Sequence, residues 1–211
     1  MKSTHLLPVL FSLALLQSSC RADNPGPPNV RAPEAFRVQL DTSRGPVTID
    51  VTRAFAPIGA DRFYSMIEAG FLDGARFFRV VPGFVVQFGL SGKPALSNVW
   101  NAPIKDDPLK PGNSNTRGSL VFAMTSDPNS RTTQMFINLA NNRNLDGAGF
   151  VPIGRVVKGM ENVDNLFSGY GEAPDQDLIL SQGDAYLGKQ FPSLDYIKAA
   201  RIVPLDSPGS R

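Results

Sequence analysis

The sequence is poor in the side chains that most enzymes use for proton transfer or nucleophilic attack. Its 211 residues include one cysteine, Cys20, and one histidine, His5, both near the N-terminus. A lone cysteine cannot close a disulfide within the chain. From residue 21 onward there is no Ser-His or Cys-His pair, no imidazole base and no imidazole for a metal site. No metal site and no cofactor are therefore expected. Gly92-Lys93 is followed by Pro94 and lacks the earlier glycine of a phosphate loop. A surplus of positive charge is also missing: 21 Lys and Arg stand against 19 Asp and Glu, giving a formal charge of +2. Without a basic stripe, nucleic acid is not an expected partner.

What is present begins with MKSTHLLPVLFSLALLQSSCRADNPG. Lys2 gives a positive start, Leu6 to Leu16 form an apolar stretch too short to span a bilayer, and Ser18 and Ser19 lead to Cys20. This is the layout of a secretory signal peptide over residues 1–22. Two endings stay open. Cys20 falls where a bacterial lipoprotein carries its lipid, although Gln17 occupies a position that prefers a small or aliphatic residue; the alternative is ordinary cleavage near Ala22. The protein is expected to be exported to the periplasm or cell envelope. It would touch a membrane only through a lipid on Cys20. Residues 23–35, rich in Pro and polar residues, read as a flexible tether, followed by one domain over 36–203 and a tail over 204–211.

At 42% hydrophobic and 19% charged, the composition is globular. Phe36–Thr42 and Val47–Thr52 alternate apolar and polar residues around a Ser43-Arg44-Gly45-Pro46 turn, as a hairpin does. Between Ala56 and Gly70 the period changes: Ile58, Phe63, Met66 and Ile67 share a helical face, and Gly70 ends it. Short strands are expected at Arg76–Val81, Phe84–Gly89, Ser119–Thr125, Met135–Leu139, Val151–Val157 and Ile197–Val203. A second helix is expected after Gly159-Met160. The stretches 90–112 and 171–194 read as loops. Many short strands with few helices indicate a mainly β protein, a barrel or sandwich.

Residues 77–89, FFRVVPGFVVQFG, hold an arginine and a glutamine in an otherwise apolar run. Burying an unpaired charge is costly, so Arg79 needs a partner. Taken alone, an arginine here is more often an ion-paired residue of an edge strand. The run, however, resembles the cyclophilin signature, and the resemblance continues through RGSLVFAMTSDPNSRTTQMFINL (117–139) and NLDGAGFVPIGRVVKGM (144–160). It covers roughly residues 36–203, and the tail pattern FPSLDYIKAA is similar to that of bacterial secreted cyclophilins. The resemblance implies an eight-stranded antiparallel barrel capped by two helices, a monomer, and peptidyl-prolyl cis-trans isomerase activity on proline-containing polypeptides.

That activity suits the available residues. Rotation about a peptide bond is opposed by a barrier of about 18–20 kcal/mol from amide resonance, and X-Pro bonds isomerise unaided over tens to hundreds of seconds. Catalysis needs no proton transfer, only contacts that strengthen as the bond twists. The resemblance gives Arg79 the role of donor to the substrate proline's carbonyl and pyramidalising nitrogen, with Gln87 beside it on an outer groove. It makes Phe84, Phe136 and Leu145 the proline pocket, with Met135 and Val85 adjacent; Val85 stands where many members have Met. Gln134 would bond the peptide backbone, and Ala123, Met124 and Thr125 would form the groove edge that pairs with an extended substrate. Asn138 would be structural. Two positions depart from the pattern: Asn144 replaces a common Trp, and Phe150 stands where a pocket His is usual. Trp100, in the 90–112 stretch, reads as an anchor over the barrel rather than a substitute for that Trp. The rival reading is a peptide-binding chaperone module with weak or no isomerase activity; retention of both Arg79 and Gln87 favours the enzyme. A metal-dependent or nucleophilic hydrolase is opposed by the missing His and Cys.

Overall fold

The computed structural model describes residues 27–205. The signal segment, Cys20 and most of the expected tail lie outside them. The eight strands are β1 (Ala35–Thr42), β2 (Gly45–Thr52), β3 (Arg79–Val81), β4 (Val85–Phe88), β5 (Ser119–Phe122), β6 (Met135–Asn138), β7 (Pro152–Lys158) and β8 (Ile197–Val203). They form one antiparallel sheet in the order β3-β4-β6-β5-β7-β2-β1-β8. The sheet curls until its ends meet through the residues just before β3 and β8. The Phe77 amide donates to the Asp195 carbonyl and the Ile197 amide to the Ala75 carbonyl, both at 2.9 Å. A single bridge, Arg76 to Tyr196, lies between these bonds. The fold is mainly β and barrel-like, as the strand count implied.

Alternation explains which face is which. In β1, Phe36, Val38 and Leu40 point inward, and in β2 Val47, Ile49 and Val51 do the same. β4, β5 and β6 are buried at every position, because their outer faces carry a second apolar cluster built on Val85, Val121 and Phe136.

Helix α1 (Pro57–Glu68) opens with Pro at its first turn and buries Ala60, Phe63, Met66 and Ile67 in the main core. Its end is a Schellman motif: Gly70, with φ +62°, donates to Ile67, and the Phe71 amide donates to Met66. Ahead of it, the expected tether is packed rather than free from residue 30 onward. The Val30 amide donates to Ser65 Oγ and the Ala32 amide to Asp61, both at 2.9 Å.

The stretches read as loops are partly helical. Residues 90–112 contain α2 (Pro94–Trp100), on which Trp100 is buried against Phe71 with ring centroids 5.2 Å apart. After the four-residue α3 (Asn144–Gly147), the helix expected beyond Gly159 is only α4 (Met160–Asp164). The 171–194 stretch folds into α5 (Gln176–Gln182) and α6 (Asp184–Gln190), which bury Ile179, Tyr186 and Leu187 with Phe78, Leu90, Phe191 and Leu194 in a satellite core. These two short helices meet at Gly183, where φ is +57° and an added Cβ would lie 2.0 Å from the Gly92 carbonyl oxygen. Only glycine fits that crossing.

Candidate active site

The site is a cross-strand row. Pro82 and Gly83, the latter with φ +73°, form the turn of the β3–β4 hairpin, closed by the Phe84 amide donating to the Val81 carbonyl at 3.0 Å. The turn sets the register so that Arg79 pairs directly with Gln87. Gln87 in turn faces Phe136 on β6, and Phe136 faces Val121 on β5. Direct partners share a face, so these four side chains cross the outside of the barrel in one line. The arginine and glutamine inside an apolar run are thus accounted for: they stand on the wall of a groove, while Val86 and Phe88, one residue out of phase, fill the interior.

Arg79, Phe84, Val85, Gln87, Ala123, Met124, Phe136, Leu145 and Phe150 enclose a cavity of about 240 Å³. Phe150 meets Phe136 edge-on with centroids 5.7 Å apart. The Arg79 guanidinium lies 5.8 Å from the Phe84 ring centroid. Its Nη1 donates to Gln87 Oε1 at 3.3 Å, and Gln87 Nε2 donates to Gln134 Oε1 at 2.8 Å. On its other edge, Nε donates to Glu172 Oε1 at 2.6 Å, with Nη2 at 2.5 Å from the same oxygen. Arginine offers five N–H groups, and these contacts leave donors at the terminal end of the guanidinium. Beside this cavity lies a second one of about 300 Å³, walled by Gln87, Ala123, Met124, Thr125, Ser130, Gln134 and Gln176, among others.

A buried polar network holds the pocket in shape. The Phe84 carbonyl accepts from the Leu139 amide at 2.8 Å and from Asn142 Nδ2 at 2.9 Å. Asn138 links Asn142, Asn115 and Ser119, which makes it a structural residue. Asn115 donates to the Phe150 carbonyl and to Asp146, both at 2.7 Å. Burial pushes the Asp146 carboxyl up, but hydrogen bonds from Ser114 and from the Asn115 side chain and amide outweigh it and hold the pKa below the usual aspartate value. Asp146 belongs to α3, so this charge ties the Leu145–Phe150 wall to the loop before β5.

Most of the residues singled out in the sequence converge here; two do not. Met135 lies fully inside the main core, because its register partners Phe88 and Phe122 both point inward. Its place beside Phe136 in the chain puts it on the opposite face of the sheet. Asn144 is exposed at the start of α3 and lines neither cavity. Trp100 also lines neither, although the next residue, Asn101, stands on the wall of the second. Sequence reasoning missed Val121, which is one more valine in an apolar run, and Asn142, which shapes the pocket through the Phe84 carbonyl. It also missed Glu172 and Gln176; both come from a stretch read as loop, and Glu172 meets its partner across 93 positions.

The model of the family described as cyclophilin type peptidyl-prolyl cis-trans isomerase/CLD matches residues 37–182. A peptidyl-prolyl cis-trans isomerase of Acinetobacter baylyi is 38% identical over 133 residues, covering 61% of this chain and 70% of the relative. Peptidyl-prolyl cis-trans isomerase A of Dickeya dadantii is 36% identical over 143 residues, covering 66% and 75%. In fold, the chain is similar to a cyclophilin type isomerase of Cryptosporidium parvum, with a TM-score of 0.63 at 19% identity over 81% of this chain and 99% of that one. The same parasite enzyme has a second structure, in the presence of the dipeptide Ala-Pro, with a TM-score of 0.62 at 20% identity over 80% and 99%. A groove whose arginine, glutamine and phenylalanine stand in register on one barrel face thus coincides with a family match over most of the chain: this protein belongs to the cyclophilin-type peptidyl-prolyl cis-trans isomerases.

Proposed function

We propose that the protein is an exported prolyl isomerase that speeds the folding of proteins in the periplasm or cell envelope. The observation that carries the catalytic half is the placement of Arg79 over an apolar cavity. A substrate proline ring would sit on Phe136, between Phe84, Leu145 and Phe150, which removes it from water and holds it still. The chain on the carbonyl side of the X-Pro bond stays free to swing. As the bond twists, resonance is lost and the nitrogen regains its lone pair. The terminal donors of Arg79 can then bond the proline's own carbonyl and that nitrogen more strongly than in either planar isomer. This differential is what lowers the barrier. Gln87 and Gln134 hold each other and the arginine in line. The second cavity, with Gln134 and Thr125 on its wall, would take residues that precede the proline.

Export is supported by residues 1–22 of the sequence and by the absence of cysteine after Cys20. Mass spectrometry of the protein made from its full gene tests it. A mature chain starting at a lipid-bearing Cys20, or near residue 23, is expected. An intact N-terminus on a cytoplasmic protein would contradict export and leave the isomerase reading standing.

A further inference from the structure

The wall of the groove beside Arg79 is completed from outside the barrel. β3 is the terminal strand on its side of the sheet, and its outer edge is met by the segment that joins α4 to β8. The Val80 amide donates to the Gly171 carbonyl at 3.2 Å. The next residue, Glu172, reaches the Nε–Nη2 edge of Arg79. The segment is fastened on both sides of this point. Upstream, the Phe167 amide donates to the Asp195 carboxylate at 2.7 Å, and Tyr170 is wedged edge-on between Phe167 and Phe191 with centroids 5.0 and 5.1 Å away. Downstream, Pro174 is buried, and the Asp175 side chain caps α5 by accepting from the Asp177 and Leu178 amides. Gln176, on the first turn of that helix, then enters the wall of the second cavity.

We propose that Glu172 is the positioning residue of Arg79: its carboxylate fixes one edge of the guanidinium so that the terminal donors face the proline pocket. The inference rests on the isomerase reading of the site. An arginine side chain has many rotamers, and the other two contacts that could restrain this one are a long 3.3 Å bond to Gln87 and a 5.8 Å approach to the Phe84 ring. A carboxylate across the Nε–Nη2 edge selects one orientation before substrate arrives. It also opposes the guanidinium's charge, which would weaken the pull on a substrate carbonyl. Position outweighs this because the Glu172 side chain is 63% exposed: water and salt screen its charge at a distance, while the direct contact still sets geometry. The same exposure means that the pair contributes little to folding. A change in activity on removing it is therefore separable from a change in stability.

The test compares the unmodified protein with Glu172→Ala, Glu172→Gln and, as a reference, Arg79→Ala, using an Ala-Pro peptide. Glu172→Ala is expected to lower kcat/KM by about 5- to 10-fold, as a modest misplacement of a catalytic group does. The loss should fall on kcat, with KM within about twofold and Tm unchanged. Glu172→Gln should recover most of the activity, since its amide oxygen can accept from the same edge. Glu172→Ala as active as the unmodified protein, or more active, beside a crippled Arg79→Ala would overturn this assignment alone. So would a loss confined to KM, or one matched by a fall in Tm. Full activity of Arg79→Ala would overturn the isomerase reading and this one with it.

Discussion

Arg79 must be an arginine, because both of its edges and its flat face are engaged: Glu172 on Nε and Nη2, Gln87 on Nη1, and the Phe84 ring beneath. Lysine has one point of charge and no fork. Arg79→Lys should therefore retain less than about a tenth of the activity, in line with the loss of an oriented transition-state donor; equal activity in the isomerase assay would mean that charge alone suffices. Asn144 stands exposed outside both cavities, one residue before the pocket-lining Leu145, where a tryptophan is common in the family. Cyclosporin, which inhibits many cyclophilins in this groove, would lose on the order of 100 Å² of apolar contact, or about 2–3 kcal/mol. We expect inhibition to be roughly 30- to 150-fold weaker than with that tryptophan in place, and Asn144→Trp to restore part of it in a titration; tight inhibition of the unmodified protein would contradict this. At this scale the sequence was readable where the signature marked a residue. Arg79 and Gln87 are separated by an even count of eight, which decides nothing across Pro82-Gly83 until the hairpin sets them opposite. Val121 and Glu172 carried no mark, since what selects them is a cross-strand neighbour and a contact 93 residues away.

Strands and the long helix were legible because their periods are strong; α5 and α6 were not. Each spans seven residues, and Gly183 between them reads as a break. The one local sign was Asp175 just before an apolar run, an N-cap that does accept from two amides. What makes these helices is their docking on Phe78 and Leu90, a tertiary effect invisible to local propensity. Ile179, fully buried in that satellite core, supplies the element-level test. Ile179→Ala should cost about 2–5 kcal/mol of local stability, read by hydrogen exchange as lost protection across α5, α6 and the Val80 amide, with β1 and β2 unchanged. A uniform loss across all strands would show that the satellite core and the barrel unfold as one.

For the whole molecule, three of the aspartates that join separate segments have a depressed pKa. Asp61 holds Arg53 and the Ala32 amide; Asp146 holds Ser114 and Asn115; Asp195 holds Ser43, Arg44 and the Phe167 amide. In each, burial raises the pKa but these hydrogen bonds and neighbouring guanidinium charges prevail, so the carboxyl sits below the ordinary value of 3.8. A depressed folded pKa contributes stability that is fully present above the unfolded value and lost as pH falls through the folded one. The urea midpoint should therefore fall as the pH drops below about 4, and not between about 6 and 8, where an aspartate in the unfolded chain is already ionised. A midpoint insensitive to acid would contradict these ties. The central claim is that Arg79 drives X-Pro rotation, and one measurement reaches it most directly: kcat/KM for an Ala-Pro peptide in the unmodified protein and in Arg79→Ala, with the fold of both checked by circular dichroism. The account predicts ready isomerisation by the former and a loss of about 100-fold or more in the latter, the scale set by removing one oriented donor. A folded Arg79→Ala with full activity, or an unmodified protein that binds the peptide without isomerising it, would contradict it.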